Sequence, residues 1–414
     1  MSEPGSVPAD SPPAGPAASE SERAGDSDAA ERVETVKPSA VPRRRIIGEL
    51  IGARPGPLII AVGTIHGNEP AGSLALERFF RDAEALAPKL SGRVLGLLGN
   101  RAALEADERY IDTDLNRAWT PERVAQLRSD SPPDDAEARE QLELLPILDR
   151  TLAEHDGPVV FLDLHTSSGH GPPFGTVGDT LRNRRFALSL PVIKVLGIEE
   201  QLDGALLEYM NNLGHTTLGF EGGQHRDPGA VERHYAMLRL ALVTTGMIRA
   251  EDLPDYDDCQ ATLENAVQGL PEIIEVCSRH SITPEDEFVM EPGFMNFSPV
   301  RKGQLLARDR NGPIHAPDDG LIILPLYQGS GNDGFFFGRA VRPVWLKVSA
   351  LLRRLRTPGL MGLLPGIRRH PEEPRTLVAD PRIARFYTTE LFHLFGFRRL
   401  REEHGRIHFQ RRNE

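Results

Sequence analysis

Cysteine is scarce in this chain: Cys259 and Cys277 are the two in 414 residues, and their spacing is not that of a metal site. A disulfide framework is thereby excluded, and a reducing cytosol fits. Long apolar runs are missing as well. No stretch approaches ~18 uninterrupted apolar residues, so no membrane span is expected. The first residues lack the apolar segment of a signal peptide, and their acids argue against a transit peptide. Nor is there a basic excess: 48 Lys and Arg stand against 60 Asp and Glu, for a net charge of −12. That excludes a nucleic-acid binder by composition and works against adhesion to anionic membranes. The expected location is cytoplasmic.

What is present divides into four stretches. Residues 1–43 are Pro, Ala, Ser, Gly and acids, with hardly a large apolar side chain, and are read as a disordered tail. Residues 44–283 alternate apolar runs with amphipathic helical stretches, an α/β pattern. The runs are Leu58 to Val62, Val94 to Leu98, Val159 to Leu162 and Thr216 to Phe220. The helices are expected near Ala71 to Leu86, Ala136 to His155 and Ala230 to Ile248. Strands without polar alternation imply a sheet covered on both faces. Residues 284–341 are rich in Gly and Pro and have no helical period, and read as a small β domain. Residues 342–414 form a C-terminal extension. It opens with a basic amphipathic helix whose apolar face holds Val344, Trp345, Leu346, Val348, Leu351, Leu352 and Leu355. That face is expected to pack on the enzyme rather than lie on a membrane. A short helix near Ile383 to Leu394 and a hairpin near Arg398 to Gln410 follow. There is no internal repeat.

The informative feature is where reactive residues fall. Each apolar run leads directly into a polar cluster: His66-Gly67-Asn68-Glu69, Gly99-Asn100-Arg101, Asp163-Leu164-His165, and Glu221-Gly222-Gly223. Ligands of open α/β sheets bind beyond the carboxyl ends of the strands. His66 and Glu69 are three residues apart, about one turn, so both can face one point. With His165 they make a His₂Glu set that suits a catalytic zinc ion with one open position. Alone, the H-x-x-E pair is equally a surface helix pair. Gly63 and Gly67 are expected to let the backbone approach the ion. Asp163, two residues before His165, shares its strand face. It either orients a ligand by hydrogen bond or is a buried acid satisfied by backbone amides. Glu221 suits a base that cycles a proton; the bland alternative is a strand-end surface glutamate. The stretch from Arg109 to Arg117 is either a solvated charge run or a set of forks for carboxylates.

The pieces GTIHGNEPAG (63–72), GNRAA (99–103), RYIDTDLNR (109–117), DLHTSSG (163–169) and FEGG (220–223) together resemble the succinylglutamate desuccinylase and aspartoacylase family, relatives of zinc carboxypeptidases. The resemblance runs from about Arg45 to Val341. It implies a carboxypeptidase-like α/β/α mixed sheet with a small C-terminal β domain. It implies one zinc per protomer on His66, Glu69 and His165, a carbonyl-polarising Arg109, substrate binding by Asn116 and Arg117, and Glu221 as catalytic base. Its activity would be hydrolysis of an N-acyl amino acid or a similar small carboxylate-bearing amide. Two departures stand out. Asn211 to His215 lacks the arginine that aspartoacylase-type members place before the catalytic glutamate. Gly329 to Asp333 lacks the tyrosine that they place in the β domain. Specificity for an acidic side chain is therefore not expected. Two other activities use the same residues or the same fold: a zinc carboxypeptidase acting on a peptide C-terminus, and a catalytically silent homologue serving as a binding scaffold. The intact ligand set and Glu221 speak against the silent form.

Overall fold

The computed structural model describes residues 36–37, 40–41, 43–199, 201–354, 364–371, 373, 376–380, 395–403 and 406–411. The expected N-terminal tail through residue 35 and the helix near 383–394 lie outside them. Eight strands build the α/β part: β1 (Ile46–Ile51), β2 (Arg54–Gly63), β3 (Ser91–Leu98), β4 (Val159–Ser167), β5 (Phe174–Val177), β6 (Ile193–Leu196), β7 (Thr216–Gln224) and β8 (Ile273–Ser281). Six more follow: β9 (Val289–Met290), β10 (Pro299–Val300), β11 (Leu305–Asp309), β12 (Gly312–His315), β13 (Gly320–Ile323) and β14 (Asp333–Ala340).

Eleven of these strands form one mixed sheet in the order β1-β3-β2-β4-β7-β5-β6-β8-β14-β13-β10. The centre, β3-β2-β4-β7, is parallel. β5 then runs antiparallel to β7. Between residues 284 and 341 every strand pairing is antiparallel. β14 pairs with β8 along its length and carries β13 and β10 onto the main sheet, while β9, β11 and β12 make a separate small sheet.

The helices are α1 (Ala71–Ala83), α2 (Arg101–Ala106), α3 (Pro121–Leu127), α4 (Ala136–Ala153), α5 (Leu181–Ala187), α6 (Leu206–Asn212), α7 (Pro228–Thr244), α8 (Tyr256–Ala266) and α9 (Pro343–Arg354). They cover both faces, which explains the unbroken apolar runs. Successive strand residues point to opposite faces. Ile59 and Ala61 join Leu76, Phe79 and Leu240 of α1 and α7 in one core, whereas Leu58, Ile60 and Val62 join Leu144, Leu148 and Met210 of α4 and α6 in the other. The runs Leu58 to Val62, Val94 to Leu98 and Val159 to Leu162 carry no polar side chain because neither face meets water.

The C-terminal extension departs from its apolar pattern. α9 buries Leu346, Ser349 and Arg353 and leaves Val344, Trp345 and Leu351 exposed; Leu355 lies outside the described residues. The reason is an ion pair: Arg353 Nη2 meets Asp179 Oδ2 at 2.7 Å, and Nη1 donates to the Asp179 carbonyl at 2.8 Å. Leu346 of the apolar stripe is buried on the same face, in the core with α1 and α7. Beyond it, β15 (Ile367–Arg369), β16 (Thr376–Ala379), β17 (Phe397–Glu403) and β18 (Arg406–Arg411) form a four-stranded sheet, with β17 and β18 paired antiparallel. Among the described residues no helix is long and apolar enough to cross a membrane.

Candidate active site

The site lies at the carboxyl ends of β2, β4 and β7. After β2 the chain turns at Thr64, whose φ of 58° is in the left-handed region that non-glycine residues rarely adopt. The turn is held by Thr64 Oγ1, 2.7 Å from Ser73 Oγ. It closes with Glu69 N donating to the His66 carbonyl at 3.1 Å. His66 and Glu69 therefore face one point. Gly63 and Gly67 stand where packing leaves no room for a side chain. A Cβ at Gly63 would stand 2.6 Å from Ser73 N of α1, and one at Gly67 would run into the Ala103 backbone of α2.

Glu69 lies between two imidazoles. His66 Nδ1 is 2.9 Å from Glu69 Oε1 and His165 Nδ1 is 3.1 Å from Glu69 Oε2. One ligand atom from each of the three residues falls within 4.8 Å of the others. Two imidazole nitrogens and a carboxylate are the donor chemistry that zinc takes, so the set fits that ion. The outward nitrogens are held by acids, as metal-binding histidines commonly are. Asp163 Oδ2 meets His165 Nε2 at 3.0 Å, and Asp114 Oδ1 meets His66 Nε2 at 3.1 Å. The sequence singles out Asp163. It does not single out Asp114, although the residue stands inside RYIDTDLNR.

The electrostatics follow from this crowding. Burial would raise the Glu69 carboxyl, but the charge of His66 and hydrogen bonds from both imidazoles hold it well below the usual range. For His165, burial would lower the imidazole, yet Asp163 and Glu69 raise it well above its ordinary value. Glu221 lies across from His165 in the β4–β7 register. Burial pushes its carboxyl up to about 8, against the downward pull of His165. Its Oε2 is buried without a hydrogen-bond partner among the described residues.

The segment from Arg109 to Arg117 is ordered by ion pairs. Arg109 donates through Nε and Nη2 to Asp114 Oδ2 at 3.2 and 3.1 Å, with Nη1 3.5 Å from Glu69 Oε1. Asn116 Nδ2 stands 3.2 Å from His165 Nε2, while its Oδ1 accepts from Leu206 N at 3.0 Å. Arg117 Nη2 donates to Asp333 Oδ2 at 3.0 Å, and Asp333 also meets Arg279. Glu137 was not legible as part of the site. Its carboxylate accepts the backbone N–H of Ile111, Asp112 and Thr113, together with Asn100 Nδ2. Asn100 also caps α2, accepting from Ala103 N at 3.0 Å.

His66, Glu69, Arg109, Asn116, Arg117, Asp163, His165 and Glu221 all line one cavity of about 150 Å³. None of residues 211–215 lines it. Two further groups line it. His225 Nδ1 is 2.8 Å from Thr166 Oγ1, and its Nε2 is 3.1 Å from Gln328 Oε1, which also accepts from Asn68 Nδ2 at 2.9 Å. His225 follows the FEGG piece by two residues. Gln328 has no local signal at all, since it arrives from the turn between β13 and β14.

A family model for the succinylglutamate desuccinylase/aspartoacylase catalytic domain matches residues 55–185. A succinylglutamate desuccinylase of Pseudomonas aeruginosa is 45% identical over 71 residues, 17% of this chain and 21% of that protein. The chain thus spans about a fifth of the length of the first curated relatives that it matches. One from Burkholderia mallei is 28% identical over 271 residues, 61% of this chain and 70% of that protein. Among solved structures, a succinylglutamate desuccinylase/aspartoacylase from Rhodobacter sphaeroides has TM-score 0.52 and 18% identity, covering 70% of this chain and 87% of that one. At that identity the likeness is one of fold. The resemblance read from the motifs is borne out by the family model's match over residues 55–185.

Proposed function

We propose that the chain is a zinc-dependent amide hydrolase that removes an acyl group from a small, carboxylate-bearing substrate such as an N-acyl amino acid. One observation carries the reading. The His66, Glu69 and His165 donors converge within 4.8 Å in the same cavity as the partnerless Glu221 Oε2. A zinc ion on those three side chains, one per protomer, would supply Lewis acidity toward an amide carbonyl and acidify water at the open position.

The chain's own residues do the rest. Glu221 takes the proton of the attacking water as the C–O bond forms, and returns it to the nitrogen as the C–N bond breaks. Arg109 places positive charge where the carbonyl oxygen gains negative charge. Asp163 and Asp114 keep the two imidazoles turned inward. Arg117, with Asn116 beside it, takes the substrate carboxylate in exchange for Asp333.

In this reading residues 44–283 form the catalytic domain, and residues 284–341 contribute Gln328 and Asp333 to its cavity. Residues 342–414 form an extension. The free cysteines Cys259 and Cys277 suit a cytoplasmic location. The test is elemental analysis of the purified chain together with free-amine detection on a panel of N-acyl amino acids and peptides. About one zinc per chain and amine release from the acyl amino acids are expected. His165→Ala should lose metal and activity together. A chain that holds no zinc, and gains no activity on its addition, would end the proposal. Cleavage of the peptides alone would replace it with the carboxypeptidase reading.

A further inference from the structure

The C-terminal extension differs in charge from everything before it. Residues 342–414 hold 16 Lys and Arg against 7 Asp and Glu, a net +9, whereas residues 1–341 hold 32 against 53, a net −21. The overall −12 thus combines a basic end with an acidic body. Pairing differs as well. In the body, arginines such as Arg45, Arg93, Arg123 and Arg239 meet acids. In the extension Arg353 meets Asp179. Arg342, Lys347 and Arg354, at and just before α9, are exposed and meet no acid among the described residues. The same holds for Arg368, Arg369, Arg406 and Arg411 on the four-stranded sheet. Cations left without a partner in a chain so rich in acids point to a partner outside it.

On α9 the cations frame an apolar ridge. Val344, Trp345 and Leu351 are 54%, 55% and 58% exposed, while Leu346, Ser349 and Arg353 on the opposite face are buried. Val344 and Leu351 are two turns apart, so they lie in line along the outer face. Lys347 and Arg354 stand three residues on from each and run beside them, with Trp345 on the other flank. An apolar ridge with a tryptophan and a cationic edge is the chemistry of a helix that lies in the headgroup layer of an anionic bilayer. Its apolar side chains leave water for acyl chains, and its cations meet lipid phosphates. Nucleic acid would satisfy the cations but set Val344 and Leu351 against a charged phosphodiester backbone. A second copy would bring one acidic body up to another, like charge against like. The acidic body does not oppose the bilayer in this way, because charges farther than about 8 Å from the surface are largely screened at physiological salt.

We propose that the outer face of α9, helped by the other cations of the extension, docks the chain peripherally on an anionic phospholipid surface. The proposal does not depend on the hydrolase reading, and its test uses no turnover. The full chain is floated with vesicles of phosphatidylcholine alone and of phosphatidylcholine mixed with phosphatidylglycerol, at low and high salt. Binding to the mixed vesicles only, weakening as salt rises, is expected. Trp119 is 2% exposed and Trp345 is 55% exposed, so a blue shift of tryptophan emission on binding should come from Trp345. A cation near such a surface is worth about fivefold in binding, so Lys347→Ala with Arg354→Ala should weaken it by about 25-fold. Leu351→Ala should weaken it by about fivefold through lost apolar burial. All three side chains are exposed, and circular dichroism should show the variants folded as the parent is. No binding to the mixed vesicles, equal binding to phosphatidylcholine alone, or binding that these substitutions leave unchanged would overturn the proposal. Tighter binding of a DNA duplex or an RNA hairpin than of vesicles would replace lipid with nucleic acid. A dimer in sedimentation velocity that Leu351→Ala dissociates would replace it with a second copy.

Discussion

Glu137→Gln tests whether the segment from Arg109 to Arg117 is positioned from outside the site. Glu137 is fully buried in the first turn of α4. Its Oε1 accepts from Ile111 N at 2.7 Å and Asn100 Nδ2 at 3.0 Å, and its Oε2 accepts from Asp112 N and Thr113 N at 3.0 Å each. Glutamine keeps one oxygen, so two of the four donors would face an amide N–H₂ instead of an acceptor. A buried donor left unmet costs about 1–3 kcal/mol, giving about 2–6 for two. The side chains of residues 111–113 are exposed, so water reaches part of this segment, and the low end, about 2–3 kcal/mol, is expected. For a urea slope of about 2–3 kcal/mol/M, the unfolding midpoint should fall by roughly 1 M.

Activity should suffer more than stability, because Arg109, Asp114, Asn116 and Arg117 all follow the displaced turn. A shift of about 1 Å at such groups costs on the order of 10²-fold in rate. Zinc content should stay near one per chain, since His66, Glu69 and His165 lie on other segments. Urea titration, elemental analysis and kcat/KM on one preparation separate these effects. A midpoint and a kcat/KM both within error of the parent would refute the reasoning, and so would loss of zinc with full stability.

Glu221→Gln should keep zinc and lose about 10²–10⁴-fold in kcat, because an amide cannot cycle the proton; loss of zinc by elemental analysis would make Glu221 a ligand instead. Steady-state kinetics should separate the two arginines: Arg117→Ala mainly raises KM, while Arg109→Ala mainly lowers kcat. Asp333→Asn should lower KM for a carboxylate substrate by releasing Arg117, and an unchanged or raised KM would remove Asp333 from that role. Arg353→Met breaks the buried pair with Asp179, whose carboxylate keeps Arg184. About 3 kcal/mol of destabilisation is expected in chemical unfolding, and a change below 1 kcal/mol would mean that the pair does not hold α9.

The central sheet was legible because its physics is local. Leu58 to Val62, Val94 to Leu98 and Val159 to Leu162 carry no polar side chain since helices cover both faces, Thr216 to Phe220 opens with two threonines, and each run lies within the strand expected of it. The outer part of the sheet was not. β14 joins β8 across some fifty intervening residues of sequence, and nothing in 284–341 marks which of its short strands extend the main sheet and which form the small one. The face of α9 was misread for a related reason. Its apolar stripe predicts burial of Val344, Trp345 and Leu351, but Arg353 finds Asp179, 174 residues away in sequence. A paired charge can be buried where an unpaired one cannot, and no pattern within a helix reveals a partner outside it.

The same division runs through the site. The candidate metal ligands show themselves because His66 and Glu69 share a turn and His165 stands near the end of a neighbouring strand, so local spacing and the strand ends bring them to one rim. The groups that shape the site come from distant segments. Asp333 illustrates the consequence. Arg117 alone in the sequence looks free to hold a substrate carboxylate, yet in the fold its guanidinium already meets Asp333, which also meets Arg279. Exchange with a substrate is feasible because of that second partner. When Arg117 turns to the substrate, Asp333 keeps Arg279 and is not left as an unpaired, half-buried carboxylate, a state that would cost more than the new contact gains. Arg279 Nη1 is itself anchored on the Gln201 carbonyl at 2.7 Å, so it stays in place through the exchange. In the proposed function, selectivity for a carboxylate would depend on these three charges from three elements, and only Arg117 lies in a motif that the sequence exposes.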